Sequence, residues 1–98
     1  MWIEDVRDFS VETEADGEVI RKEIDKDFFF DGPMALGVFL FADKDKKTGA
    51  FTEKKVMIIK FRKHLGGYKV ESKVVLGGLE NASRVVEKIR EWLLDNEK

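Results

Sequence analysis

Ten consecutive residues, MALGVFLFAD (34–43), constrain the fold of this chain more than any other segment. The run is apolar through position 42 and does not alternate between apolar and polar residues. A strand that is covered on both faces has this pattern, whereas a strand with one solvent-exposed face alternates apolar and polar residues. The segment therefore predicts a central strand, and the rest of the chain has to cover both of its faces.

Asp-Gly at positions 16 and 17 predicts a hairpin within FSVETEADGEVIRKEI (9–24). A type I′ turn needs positive φ at both central residues, and an Asp-Gly pair accommodates this. With that loop, apolar and polar residues separate onto the two faces of the ribbon. The predicted cross-strand pairs are Phe9–Ile24, Val11–Lys22, Glu12–Arg21 and Thr13–Ile20.

Gly66-Gly67 predicts a second hairpin within KVMIIKFRKHLGGYKVESKV (55–74). With these glycines as the loop, one face is apolar and the other is basic, becoming apolar toward Val56. Lys63 falls on the apolar, core side in this register. The predicted core-side pairs are Leu65–Tyr68, Phe61–Ser72, Ile59–Val74 and Met57–Leu76. The predicted pairs on the basic side are His64–Lys69, Arg62–Glu71, Lys60–Lys73 and Ile58–Val75.

The C-terminal segment LENASRVVEKIREWLLDNEK (79–98) predicts an amphipathic helix. Gly77 and Gly78 end the strand before it, and Glu80 lies in the first turn, where the helix dipole favours negative charge. Apolar residues recur at spacings of three and four, as one helical face requires. This apolar stripe consists of Leu79, Ala82, Val85, Val86, Ile89, Trp92 and Leu93. We expect it to be buried against one face of the sheet.

Together these segments predict an α+β fold in a single domain, residues 1–98. An antiparallel sheet of about five strands carries one C-terminal amphipathic helix packed on one face. Pro33, in a Gly-Pro break, is excluded from a central ladder because it has no N–H to donate. The predicted strands are about 5–14, 18–26, 34–42, 51–65 and 68–76, and the predicted helix is about 79–95.

Composition narrows the class of protein. With 43% hydrophobic and 39% charged residues, the 98-residue chain is globular and large enough for one hydrophobic core. It contains no cysteine, which excludes disulfides and thiolate metal sites and favours a reducing compartment. Neither a leader pattern nor an apolar run of about 20 residues is found, so we expect a cytoplasmic protein without membrane spans. Abundant Lys and Glu favour a thermophilic source.

The sequence patterns of catalytic and metal sites are missing. The single histidine, His64, lies among cations that would repel a metal ion. The segment DKDKKTGAFTEK (43–54) begins like a calcium loop, but it has Thr48 and Lys54 where an EF-hand needs Gly and Glu. There is no nucleophile elbow and no phosphate-binding glycine motif. We therefore predict a non-enzymatic protein with no metal and no cofactor.

Charge is divided unequally along the chain. Residues 1–43 contain four Lys and Arg against twelve Asp and Glu, whereas residues 44–75 contain ten against three. A cationic surface with aromatic platforms is typical of sequence-tolerant single-strand binders. The predicted nucleic-acid site consists of Lys60, Arg62, His64, Lys69 and Lys73, with Phe39 and Phe41 as stacking surfaces. The alternative is that the lysines are simply solvated, and the aromatics are lost to this site if they point under the helix.

Excess apolar surface supports a different function. One helix covers one sheet face, yet MALGVFLF and the residues Val56, Ile58 and Val75 place apolar groups on the other. An exposed patch of this kind marks an interface. The second hypothesis is therefore a protein–protein interaction module that forms homo-oligomers through this sheet face, with a homodimer built face to face or through the helices. Trp2, Trp92 and the run Phe28–Phe30 are further candidates for that interface, or ordinary core residues.

The order of elements also carries a resemblance to known proteins. Strands followed by the basic hairpin KFRKHLGGYK and the C-terminal helix RVVEKIREWL cover about residues 34–96. This arrangement resembles two groups of small single-stranded-DNA-binding proteins, the dimeric positive-cofactor type of transcription coactivators and the archaeal ThermoDBP type. The resemblance implies that the chain could bind single strands, and its acidic net charge of −2 departs from a typical nucleic-acid binder.

Overall fold

A computed structural model describes residues 3–96 and shows an α+β fold, as predicted. Five antiparallel strands lie in the sheet in their order along the chain, and one helix follows them. The MALGVFLFAD strand is the middle one of the five, which confirms its predicted central position. The elements are a 3-10 turn (Val6–Asp8), β1 (Thr13–Ala15), β2 (Glu18–Asp31), β3 (Met34–Asp43), β4 (Lys55–His64), β5 (Gly67–Gly78) and the helix α1 (Leu79–Asn96).

Two-residue turns close the first two hairpins. Asp16 and Gly17 have φ of 54° and 81°, which is the predicted type I′ signature between β1 and β2. Gly32 has φ of 59° and precedes Pro33, whose ring fixes a negative φ, so together they form a tight turn between β2 and β3. Pro33 thus lies in a turn and outside the ladder, as expected.

The turn between β4 and β5 lies one residue earlier than predicted. Leu65 and Gly66 have positive φ, at 48° and 84°, while Gly67 pairs with His64 as the first residue of β5. A leucine in the left-handed region is unusual, and its side chain is 87% exposed at the tip. The predicted Gly66-Gly67 turn was therefore wrong by one position, because Gly67 is the first residue of β5 and Leu65 takes its place in the turn.

Bulges change the predicted pairing in both hairpins. A bulge between Thr13 and Glu14 places Thr13 opposite Arg21, so the predicted partner Glu12 lies outside β1. The β4–β5 ladder shifts register twice, between Val56 and Met57 and between Lys60 and Phe61. Each bulge adds one residue to one strand and moves the side chains beyond it to the opposite face relative to a regular ladder. In β4–β5 the earlier turn also shifts the pairing, and the two bulges bring it back to the predicted register at Val56 and Lys55. The observed pairs on β4–β5 include Phe61–Val70, Lys60–Ser72, Ile59–Lys73, Ile58–Val74 and Met57–Val75.

One face of the sheet, here called the core face, contains the hydrophobic core. Its buried residues on β3 and β4 are Ala35, Phe39, Phe41, Met57, Ile59 and Phe61. The segment before β1 covers this face, since Val6 and Val11 are buried in the same cluster and Phe9 packs against it. The Phe9 ring meets those of Phe39 and Phe61 edge to face, with centroids 5.9 and 5.3 Å apart. The segment that contains Val6, Phe9 and Val11, predicted as part of a first strand, thus covers the core.

The helix α1 packs on the sheet through its beginning, where it touches β5 and β4. Ala82 is the one side chain of Leu79–Asn96 that is buried. Burial of the whole apolar stripe was therefore a wrong expectation: Val86, Ile89 and Leu93 are 56%, 46% and 61% exposed. The helix follows β5 without an intervening loop. No helix in residues 3–96 is long and apolar enough to cross a membrane.

Gly37 has a steric role in the core. A Cβ at this position would lie 2.6 Å from an atom of the Phe39 ring and 3.0 Å from one of the Phe28 ring. Since small-to-large changes in a packed core cost about 1–3 kcal/mol, Gly37→Ala is expected to lower the free energy of unfolding by that amount. Urea denaturation followed by circular dichroism measures the change. An unaltered midpoint would contradict the packing described here.

Candidate functional site

The face of the sheet opposite the core, here called the open face, is apolar at its centre. Pairing places Leu36, Val38 and Leu40 of β3 beside Lys60, Ile58 and Val56 of β4. Phe29 of β2 lies next to Leu36 on the same face, and Val74 of β5 next to Ile58. Phe29 and Val74 are 57% and 52% exposed, and the others are half-buried. The open face is therefore a continuous apolar surface across four strands.

Burial along β3 shows how differently the two faces are covered. Residues on the core face, such as Ala35 and Phe39, are buried, and the alternate residues from Met34 to Leu40 are only half-buried. The sequence is nevertheless apolar on both sides of the strand. The absence of alternation correctly indicated a strand with two apolar faces, but the chain covers only one of them with its own N-terminal segment.

Three of the predicted cations come together at one end of the open face. Arg62 lies opposite Lys69, and Lys60 shares their face. Both Lys60 and Arg62 are held by Glu71, with distances of 3.0 and 2.9 Å to its carboxylate oxygens. Hydrogen bonds from Arg62 and then Lys60 hold the pKa of Glu71 below its ordinary value. The predicted Arg62–Glu71 contact therefore exists between side chains, although the backbone partner of Arg62 is Lys69.

The remaining predicted cations are placed differently. Lys73 pairs with Ile59 on the core face, beside a groove that also contains Phe9 and Val11. The bulge between Lys60 and Phe61 causes this change of face, because Glu71 is the extra residue of β5. His64 ends β4 opposite Gly67, next to the turn. Of the predicted cationic set, Lys60, Arg62 and Lys69 share the open face and Lys73 does not.

Phe39 and Phe41 are both completely buried on the core face. Phe39 pairs with Met57 and contacts the rings of Phe9 and Phe28, and the Arg21 guanidinium lies 4.6 Å above the centre of the Phe41 ring. A buried ring has no free face on which a base can stack. The structure thus corrects the predicted role of these two side chains, which are core residues.

The predicted interface residues are also divided between the faces. Val56 and Ile58 lie half-buried on the open face, whereas Val75 pairs with Met57 and faces the opposite side. Phe29 and Val74 belong to the open face, although Val74 was predicted on the core side opposite Ile59 and Phe29 was named only within the run Phe28–Phe30. The run Phe28–Phe30 alternates, with Phe28 against the core and Phe29 on the open face. Trp92 is 56% exposed, and Trp2 lies outside the described residues.

Opposite charges border the open face on its two sides. Asp25, Asp27 and Asp31 of β2 lie opposite Leu40, Val38 and Met34, so their carboxylates follow one side of the apolar centre. The cations of β4 and β5 lie on the other side. An apolar centre with a polar border is the anatomy of a protein–protein interface.

A second charged cluster lies near the far end of β3. Asp43 accepts a hydrogen bond of 2.7 Å from Arg21 and lies 3.6 Å from the amine of Lys55. The Arg21 hydrogen bond holds the pKa of Asp43 below its ordinary value of 3.8, against an opposing effect of burial. The cluster borders an open groove of about 640 Å³ between the β1–β2 turn and the loop after β3. Nowhere in residues 3–96 do three His, Cys, Asp or Glu side chains gather to hold a metal ion.

No known protein-family model matches this chain, and neither a curated protein nor a solved structure shows significant similarity to it. The function is therefore argued from the geometry of the open face.

The Asp43 cluster makes stability depend on pH. Because the pKa of Asp43 is lower in the folded chain, its ion pairs stabilise the fold above pH 3.8, and this is lost as the pH falls through the folded value. Asp43→Asn is expected to lower the free energy of unfolding by about 1 kcal/mol at neutral pH, since the ion pair is partly exposed. At about pH 2, where Asp43 is increasingly protonated, the same substitution should lower the free energy of unfolding by less.

Urea unfolding at both pH values measures this difference. Asp16→Asn, which removes an exposed carboxylate from a turn that asparagine also favours, is the matched control. An equal cost of Asp43→Asn at both pH values would contradict the assigned ion pair.

Proposed function

We propose that this protein is a self-associating interaction module and that the open face is its contact surface. The observation that carries the proposal is a continuous apolar surface, from Phe29 to Val74, on a folded chain. Contiguous apolar patches of this extent on a protein surface mark interaction sites. The role is one of binding without catalysis, in keeping with a surface whose centre is made of aliphatic side chains.

The exposed area supports the proposal quantitatively. A compact monomer of 11.3 kDa exposes about 5,700 Å² by the size scaling of folded chains. This chain exposes 7373 Å². The excess of roughly 1,600 Å² is more than the 800 Å² or so that each partner buries in a standard protein–protein interface. The single chain therefore has enough surplus surface to form a stable interface.

The shape of the chain agrees with this area. Its radius of gyration is 15.7 Å, whereas a compact domain of this length has about 12.6 Å. The thinnest dimension is 17 Å and the longest is 50 Å. Such a thin chain has one sheet face covered and lacks the second layer that would make it compact.

Association through the face is favoured over association through the sheet edges. One edge is formed by the three residues of β1 and, beyond them, by β2, which carries charged residues along its length and has a register shift between Glu23 and Asp25. The other edge, β5, carries Lys69 and Lys73 and lies along a ladder with two register shifts. Short strands, lysines and bulges at edges are the features that discourage edge-to-edge pairing. The apolar face has no comparable protection.

Val74 and Val75 offer a matched test of the open face. They are neighbours on β5 with similar exposure, 52% and 48%, but Val74 lies on the open face and Val75 on the core face. Val74→Lys is expected to weaken self-association at least tenfold, because it places an unpaired charge against apolar surface. Val75→Lys should leave it unchanged. Light scattering across the micromolar range measures both, and a wild-type mass of one chain throughout that range would overturn the proposal.

Single-stranded nucleic acid is a second candidate, favoured by the grouping of Lys60, Arg62 and Lys69 on the face that also exposes Phe29. Three cations that neutralise phosphates predict a log–log salt slope of about −2 for a single strand. Lys69→Glu should then weaken binding much more than Lys73→Glu, which makes the same charge change on the other face. Fluorescence anisotropy with a labelled oligonucleotide measures this. Absence of binding at low salt, or equal effects of the two variants, would exclude this candidate.

A further inference from the structure

We infer that the open face of one copy is covered by α1 of a second copy, and that the exchange is reciprocal. This inference rests on the proposed self-association and names the segment that covers the face. It joins two apolar surfaces of the same chain: the stripe of α1, which is largely exposed, and the open face of the sheet, whose centre is half-buried and whose Phe29 and Val74 are exposed.

The first argument is the state of the helix. Its stripe has the spacing of a helix that packs on a sheet, yet Val86, Ile89 and Leu93 are about half exposed or more. An isolated helix in water gains little from propensity alone, and most helices in proteins are stabilised by packing an apolar face. The stripe of α1 therefore needs a cover that its own chain does not provide beyond the first turns.

The second argument is the junction between β5 and α1. The strand ends at Gly78 and the helix begins at Leu79, so no loop is available to reverse the chain. The side-chain amide of Asn81 donates a 2.6 Å hydrogen bond to the Leu76 carbonyl, which ties the first turn to the strand end. Reversal of α1 onto its own open face would break this junction. Short connections of this kind are the ones that favour exchange of an element between copies.

The third argument is dimension. The 18 residues of α1 span about 27 Å, and the 10 residues of β3 span about 33 Å. A helix about 10 Å wide covers two neighbouring strands. The apolar centre of the open face runs along β3 and β4, where Val38 lies beside Ile58 and Leu40 beside Val56. One helix lying along these strands matches this central strip in length and width, and Phe29 of β2 and Val74 of β5 would lie at its two sides.

The area agrees with reciprocal exchange. In a two-fold dimer each copy contributes one open face and one helix stripe, so both apolar surfaces are used. If the surplus of roughly 1,600 Å² per chain is buried, the interface totals about 3,200 Å², within the range of obligate homodimers. Packing of two open faces against each other would leave the stripes of both helices in water.

Isotope-filtered NOE spectroscopy on a mixed dimer, in which one copy is labelled and the other is not, tests the inference directly. We expect intermolecular NOEs from the methyl groups of Val86, Ile89 and Leu93 to those of Val38, Leu40 and Ile58. A dimer with intermolecular NOEs only between open-face methyls would overturn the exchange and leave the proposed function standing. A dimer joined only through its helices, or a monomer, would overturn both.

A helix variant gives an independent readout. Ile89→Glu places a charge in the stripe and is expected to weaken self-association at least a hundredfold. Arg84→Ala makes the same change of net charge on the opposite side of α1 and should alter it less than threefold. Sedimentation equilibrium measures both, with NMR shifts of the core residues as the check on folding. Association that is indifferent to Ile89→Glu in a folded chain would overturn the exchange.

Discussion

The apolar character of β3 on both of its faces is the constraint on which the rest of this structure depends. A strand of this kind has to be covered on two sides, and the chain has two elements outside the sheet with which to do so. The N-terminal segment covers one side by inserting Val6, Phe9 and Val11 over Phe39, Phe41 and Phe61. The helix makes contact only where it begins. The result is a sheet with one covered face, whose second face is still apolar and open.

Two bulges decide which side chains share a surface. The extra residue at Glu71 moves Lys73 and Val75 to the core face and Val74 to the open face, while Lys69, on the other side of the bulge, stays on the open face as predicted. It also places the Glu71 carboxylate between Lys60 and Arg62, where it pairs with both. A shift of one residue in a strand with a period of two changes the face of every side chain beyond it. The composition of the candidate site is therefore set by these irregularities as much as by the regular ladder.

The unequal charge of the chain becomes a pattern of pairs and borders once the sheet is formed. Lys44 and Lys55, from the basic third, reach Glu18 and Asp43 of the acidic third at distances of 3.0 and 3.6 Å. Other charges remain on the open face, with acidic residues along β2 and basic residues along β4 and β5. A polarised border of this kind discriminates between orientations of a partner more than it adds affinity.

Local features of the sequence were sufficient to predict the elements of the fold. The turn at Asp16-Gly17, the central position of β3 and the amphipathic helix from Leu79 follow from φ preferences and periodicity, which act over a few residues. Only the tertiary structure decided the faces of Phe39, Phe41, Lys73 and Val75 and the exposure of the helical stripe. These depend on the placement of bulges and on the missing loop between β5 and α1, where competing registers and packings differ by energies that no local pattern encodes.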